Sequence, residues 1–221
     1  MNRSVRTYHA RGGRSQPRAK RAIAELLPQY GVEPSGPKLD LAHLFNSPLP
    51  VVIEVGTGMG EVTALMAADS PDVGLIAIEV HTPGVGRLLR RIDNQNLTNV
   101  RVVHGDAIQF LNERIPEGSL SGFRSFFPDP WPKKKHHKRR LISPPLVQLI
   151  VSRLATGAFL HVATDWSDYA EQMISVIEAD PSLHVEFAGS QDCPLWRPQT
   201  RFETKGIAKG HTIVDIVAYK K

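Results

Sequence analysis

The run Val51-Val52-Ile53-Glu54-Val55-Gly56-Thr57-Gly58-Met59-Gly60 decides the fold. Its first five residues are mostly β-branched and apolar, the composition of a short strand buried on both faces. Glycines at alternate positions follow, which permit a tight turn and let a ligand approach the main chain closely. A helix is then predicted over 61–68. Strand, glycine turn and helix together make the first unit of an α/β sheet, and the pattern repeats downstream. Strands are expected at 74–79, 100–104, 120–127 and 158–163, with helices over 85–94, 107–114, from Ser143-Pro144 onward, and 169–178. Strands alternating with helices of this length give a doubly wound, mostly parallel sheet. Two further strands, 183–187 and 212–219, show no clear helix between them, so one is expected to run antiparallel at or near the edge of a seven-stranded sheet.

Upstream, residues 1 to about 20 read as a disordered basic arm and 18–27 as a short helix ended near Pro28 and Gly31. This divides the chain into an arm with its helix (1–35) and a catalytic domain (36–221). The apolar runs are too short to span a bilayer, the N-terminus lacks the apolar stretch of a secretory signal, and no membrane association is expected. A single cysteine, Cys193, leaves neither an internal disulfide framework nor a cysteine-built zinc site, so the cytoplasm is the expected compartment. No obligate protein partner is evident; a monomer or homodimer is expected.

The net charge is +5, and its distribution is more informative than its total. Arg3 to Arg21 holds seven Lys/Arg and no acid, and six of the eight residues from Lys133 to Arg140 are Lys/Arg, the other two being His136 and His137. Dense positive clusters on a mixed chain suggest a nucleic-acid footprint; the plainer reading is a basic tail and a solvated loop.

A Gly-x-Gly-x-Gly turn alone is a weak signal, but here Gly56, Gly58 and Gly60 stand among acids. Glu54 ends the first strand, where it would repel a pyrophosphate and suit an ammonium. Glu79 ends the second, where an acid can accept from both ribose hydroxyls. Asp106 follows the third and can reach an adenine amine. Adenine, ribose and a cationic amino acid describe S-adenosylmethionine rather than a nicotinamide dinucleotide. Each acid alone reads as well as a cap or a solvated loop residue; the ordered set does not. At the end of the fourth strand, three prolines in Pro128-Asp129-Pro130-Trp131-Pro132 fix the backbone around Asp129. A fixed carboxylate there can bind the N1–H and N2–H edge of guanine and offset the positive charge that grows when N7 is alkylated. Trp131 could cover a flat base or simply pack. His81, His104, His136 and His137 fit no metal-ligand spacing, and no metal is expected.

The motifs EVGTGMGE (54–61), AIEVHTPGVG (77–86), HGDA (104–107), FFPDPWPKKKHHKRRL (126–141), ATDW (163–166) and TRFETKG (200–206) together resemble the bacterial tRNA (guanine-N7)-methyltransferase family, which modifies the guanosine at tRNA position 46. The resemblance runs from Glu54 to at least Gly206 and is most specific from Pro128 to Leu141. It implies that Glu54, Glu79, Asp106 and Asp129 line the cofactor pocket and that Asp129 is the catalytic acid. It also implies substrate contacts at Lys133, Asp165 and the segment Thr200, Arg201, Phe202 and Glu203. The tRNA-binding stretch it implies is Lys135, His136, His137, Lys138, Arg139 and Arg140. Position 201 departs from the family's usual Asn. Read as residues alone, Glu203 could pair with Lys205, and Asp165 could cap the helix after it. The competing readings are a methyltransferase for another RNA base or for protein nitrogen, a silent RNA-binding module, and an NAD-dependent oxidoreductase.

Overall fold

The computed structural model describes residues 17–221. In chain order the elements are α1 (Pro17–Tyr30), β1 (Val51–Val55), α2 (Glu61–Asp69), β2 (Gly74–Glu79), α3 (Thr82–Asn94), β3 (Val100–His104), α4 (Ala107–Arg114), β4 (Leu120–Phe126), α5 (Pro144–Arg153), β5 (Leu154–Thr164), α6 (Ser167–Glu178), β6 (Leu183–Gly189), α7 (Arg201–Ile207) and β7 (Val214–Lys220). The sheet order is β3-β2-β1-β4-β5-β7-β6. The first five strands in that order pair in parallel, and β7 is antiparallel to both of its neighbours, β5 and β6. The sheet is thus the expected one, with its reversed strand one place in from the edge.

The pattern of β1 explains its position. All five residues are buried. Val51, Ile53 and Val55 point into the apolar layer beneath α4, α5 and α6, while Val52 joins the layer formed with α2 and α3. Side chains alternate across a strand, so a strand buried at every position is covered on both faces. From β1 the chain moves outward to β2 and β3, then crosses back to lay β4 on the other side. That reversal of direction is the place where open α/β sheets bind ligands, beyond the carboxyl ends of the strands.

Three local expectations need correction. The helix predicted over 18–27 runs on to Tyr30 with Pro28 inside it, because α1 packs along α3, Ala19 lying against Gly86; tertiary packing overrides a helix breaker in the last turn. The strand predicted at 158–163 begins at Leu154 and is interrupted by a register shift in its pairing with β4. And the two last strands are separated by α7, whose Thr200 and Glu203 form a reciprocal capping box. Most of the basic arm, residues 1–16, lies outside the described residues.

Candidate active site and nucleic-acid interface

The carboxyl ends of β1 to β5 each carry or precede an acid. In sheet order they are Asp106 after β3, Glu79 at the end of β2, Glu54 on β1, Asp129 after β4 and Asp165 after β5. Parallel strands deliver their ends to one edge, so residues far apart in sequence form a single row.

Glu54 is buried and accepts a hydrogen bond from Thr63 Oγ1 on Oε1 (2.9 Å), while its other oxygen, Oε2, is buried without a partner. Burial raises its pKa, against the Thr63 hydrogen bond and the charge of Arg124. A buried carboxylate with one unmatched oxygen costs stability unless a donor meets it, and an ammonium group would. Glu79 is held by main-chain donors: Gly58 N to Oε2 and the N–H groups of Val80 and His81 to Oε1, each at 2.8 Å. The glycine turn is therefore tied to the end of β2. Gly56 and Gly58 have φ of +83° and +57°, and a Cβ at either would meet nothing within 4 Å. The turn is left-handed and opens onto free space, which suits the approach of a ligand. Gly60 is different: a Cβ there would stand 2.6 Å from that of Leu88, so its role is close packing of α2 on α3. Asp106 caps α4, its Oδ1 accepting from Ile108 N (2.9 Å) and Gln109 N (3.0 Å).

The turn after β4 is strained at both ends. Phe127 and Trp131, on either side of Pro128-Asp129-Pro130, have φ of +54° and +46°. A left-handed backbone at a bulky residue costs on the order of 1–3 kcal/mol and persists only where surrounding contacts impose it. Those contacts are present. Phe127 N donates to Ala163 O of β5 (2.8 Å), and Trp131 is buried between the guanidinium of Arg139 (4.9 Å from the ring centre) and the edge of His136. Trp131 is therefore packing, not a free platform for a base, and Arg139 and His136 fix it.

The basic segment divides into two parts. Lys134 to Arg139 wind as a 3-10 turn, with Lys133, Lys134, Lys135 and Lys138 exposed. Arg140 does not belong with them. Its side chain is 1 % exposed. It donates from Nε to Pro130 O (2.8 Å), from NH1 to Gln172 Oε1 (2.7 Å) and from NH2 to Asp168 (2.8 Å), and stacks on Tyr169. Its assignment to the RNA-binding stretch is corrected: the guanidinium joins the Asp129 turn to α6. His137 also faces inward, 3.7 Å from Asp168.

The late segment is arranged by Arg197, which no motif in the sequence singles out. Arg197 donates from Nε and NH2 to the two oxygens of Asp215 (both 2.7 Å) and from NH1 to Glu203 Oε2, with its guanidinium over the rings of Phe126 (5.5 Å) and Phe127 (5.4 Å). Burial works against its charge, but hydrogen bonds to Asp215 and Glu203 outweigh this and raise its pKa. Glu203 thus pairs with Arg197, not Lys205. Thr200 accepts from Glu203 N (2.9 Å) and is buried, whereas Phe202 is exposed and Arg201 reaches Glu61 at the head of α2 (2.8 Å). Asp165 does not cap α6, whose cap is Trp166; it pairs with His211 (3.0 Å) and lies against Gly206. His161, Cys193 and Asp215 have ligand-type atoms within 4.8 Å of one another, but both Asp215 oxygens are taken by Arg197. The signals legible for this region are the TRFETKG motif and, within it, Thr200-x-x-Glu203, a helix-start pattern; Arg197 and Asp215 carry none.

The class of protein is given by the comparison with known families: this is a methyltransferase. Residues 48–216 match the family described as "Putative methyltransferase". The fold is that of solved methyltransferases, among them the 16S rRNA methyltransferase KamB (TM-score 0.57, 13% identity, covering 78% of this chain and 88% of that one) and an rRNA methylase from Streptococcus thermophilus (0.51, 14%, 78% and 87%). Much nearer in sequence are the tRNA (guanine-N(7)-)-methyltransferases of Streptomyces avermitilis, 48% identical over 98% of this chain and 76% of the relative, and of Nitrosospira multiformis, 45% identical over 100% and 96%. The chain belongs to the tRNA (guanine-N7)-methyltransferase family.

Proposed function

We propose that this protein transfers a methyl group from S-adenosylmethionine to N7 of guanosine 46 in tRNA. The observation that carries the reading is the row of acids across β3-β2-β1-β4, with Glu54 Oε2 buried and unmatched at its centre. The bound cofactor supplies a methyl group on a sulfonium. Glu54 holds its ammonium, Glu79 accepts from its ribose hydroxyls while the turn Gly56–Gly60 gives it room, and Asp106 accepts from its adenine amine through the carboxylate oxygen the α4 cap leaves over. Asp129 holds the N1–H and N2–H edge of the guanine. N7 carries a lone pair, so no general base is needed; the residues align and stabilise. Lys133, Lys134, Lys135 and Lys138 take the phosphates, which positions the base without reading it. The cytoplasm suits such a substrate; among the described residues no helix is long and apolar enough to cross a membrane.

The decisive experiment uses labelled cofactor and an unmodified tRNA transcript, with N7-specific chain cleavage to map the product. Cleavage at position 46 alone is expected. Label on another base or position would retain the enzyme class and discard the substrate; absence of label with both ligands bound would discard the activity.

Two further results are expected. Burial raises the pKa of Glu54, and a bound cation favours its charged form. Cofactor binding should therefore release protons from this carboxyl wherever the free protein holds it protonated, more as the pH is lowered and up to about one per site. Calorimetry in buffers of different ionisation enthalpy measures this; Glu54→Gln should abolish it, and an equal release in that variant would remove Glu54 from the ammonium site. Second, replacing the four exposed lysines by Gln should reduce the slope of log K against log salt for tRNA by about 3, since each phosphate neutralised releases counterions. An unchanged slope would mean that this segment does not touch phosphate.

A further inference from the structure

Arg197 touches both halves of the reaction centre. Its flat guanidinium lies over Phe126 and Phe127, the residues that lead into the Pro128-Asp129-Pro130 turn. Two of its nitrogens grip Asp215 on β7, and a third grips Glu203, whose partner in the capping box is Thr200. Phe127 is one of the two strained residues that aim Asp129, and its left-handed backbone needs a cover that does not yield. Only a planar group with donors on several edges can stack on two rings and join two carboxylates at once. The side chain is 7 % exposed and its partners are of low exposure too, so the array is screened little by solvent.

We propose that Arg197 is a positioning residue for methyl transfer: it sets the acid-bearing turn after β4 and the Thr200–Glu203 segment at one fixed separation, and so determines where the target base stands relative to Asp129. This rests on the tRNA methyltransferase reading. Arg197 touches neither substrate nor cofactor in this account; it acts through Phe127 and Glu203. An ammonium in its place keeps the charge but reaches fewer of these groups, so the loss should fall on the reaction step rather than on binding.

The test compares the parent protein with Arg197→Lys and with Asp215→Asn. The second variant is nearly isosteric, sits on β7 outside the proposed binding groups and weakens the grip on Arg197. Denaturant midpoints establish that each variant is folded under assay conditions. Single-turnover methyl transfer is then measured at saturating tRNA and S-adenosylmethionine, together with equilibrium affinities for both. A misplacement of about 1 Å at a reacting centre costs on the order of a hundredfold. Arg197→Lys should therefore lose at least about tenfold in the single-turnover rate, and Asp215→Asn about threefold or more, with both affinities kept within about threefold. Folded variants with parental single-turnover rates would overturn the proposal, and so would a rate loss that disappears once binding is saturated. If Arg197→Lys does not fold, Asp215→Asn decides alone. A parent protein that transfers no methyl group would instead refute the proposed activity, which keeps the two failures distinct.

Discussion

Asp129→Ala should lower the single-turnover rate of methyl transfer by about a thousandfold, the upper range for removing one preorganised polar group from a reacting centre. Affinity for tRNA should stay within about threefold, because phosphate contacts carry most of it. The geometry explains why the loss should be large. Pro128 and Pro130 lock the backbone on either side, Phe127 and Trp131 hold left-handed conformations at the two ends, and Arg139, His136 and Arg140 brace the turn from behind. A carboxylate fixed in this way has almost nothing to reorganise as positive charge develops on guanine, so its removal is not made good by a neighbour or by water. Asp129→Asn should be intermediate: it retains one acceptor but turns an amino group toward a donor edge. The measurement is a rapid-quench time course with saturating cofactor. An Asp129→Ala protein that runs at the parental rate would take Asp129 out of the reaction.

Arg140→Ala should destabilise the fold by about 3 kcal/mol or more, the range for removing one partner from a buried ion pair. For a domain of this size that is a fall of roughly 6–12 °C in Tm. Asp168 is partly exposed and contributes less than a fully buried partner would; the larger share comes from Pro130 O, Gln172 and the face of Tyr169, all of which lose their donor or cover. Lys138→Ala, two residues earlier in the same basic run, should change Tm by less than about a degree, as surface substitutions do. Calorimetric scans of the two proteins make the comparison, and equal effects would show that Arg140 is as solvated as its neighbours.

That contrast shows what the sequence could and could not express. β1 and β2 were readable because a strand buried on both faces is apolar at nearly every position, a constraint carried by five or six consecutive residues, and β3 and β4, with Arg101, Arg124 and two serines among their apolar residues, by their place in the strand–helix alternation. The shared edge of Glu54, Glu79, Asp106 and Asp129 was readable because a parallel sheet brings successive strand ends together, so their places along the chain imply their arrangement in space. Arg140 was not readable: burial of one guanidinium in a run of six cations depends on Gln172 and Asp168, some thirty residues away, and nothing local separates it from Arg139. Arg197 is the same case over longer distances, with partners on β4, α7 and β7. α7 is hard to see in the sequence for another reason. Seven residues with a glycine among them are too few for a helical period to show, although Thr200 and Glu203 marked its start.

On the proposed reading, the acids on the sheet edge and the exposed lysines of residues 133–138 form an electrical sieve: a polyanion held by the lysines is repelled by the strand-end carboxylates if it advances with its charged backbone foremost. An uncharged ring is not. Whatever enters must therefore present a nucleobase first and leave its phosphates at the rim, an orientation imposed before any hydrogen bond is made. A guanosine swung out of a folded strand meets that condition, since its own phosphates lie to either side.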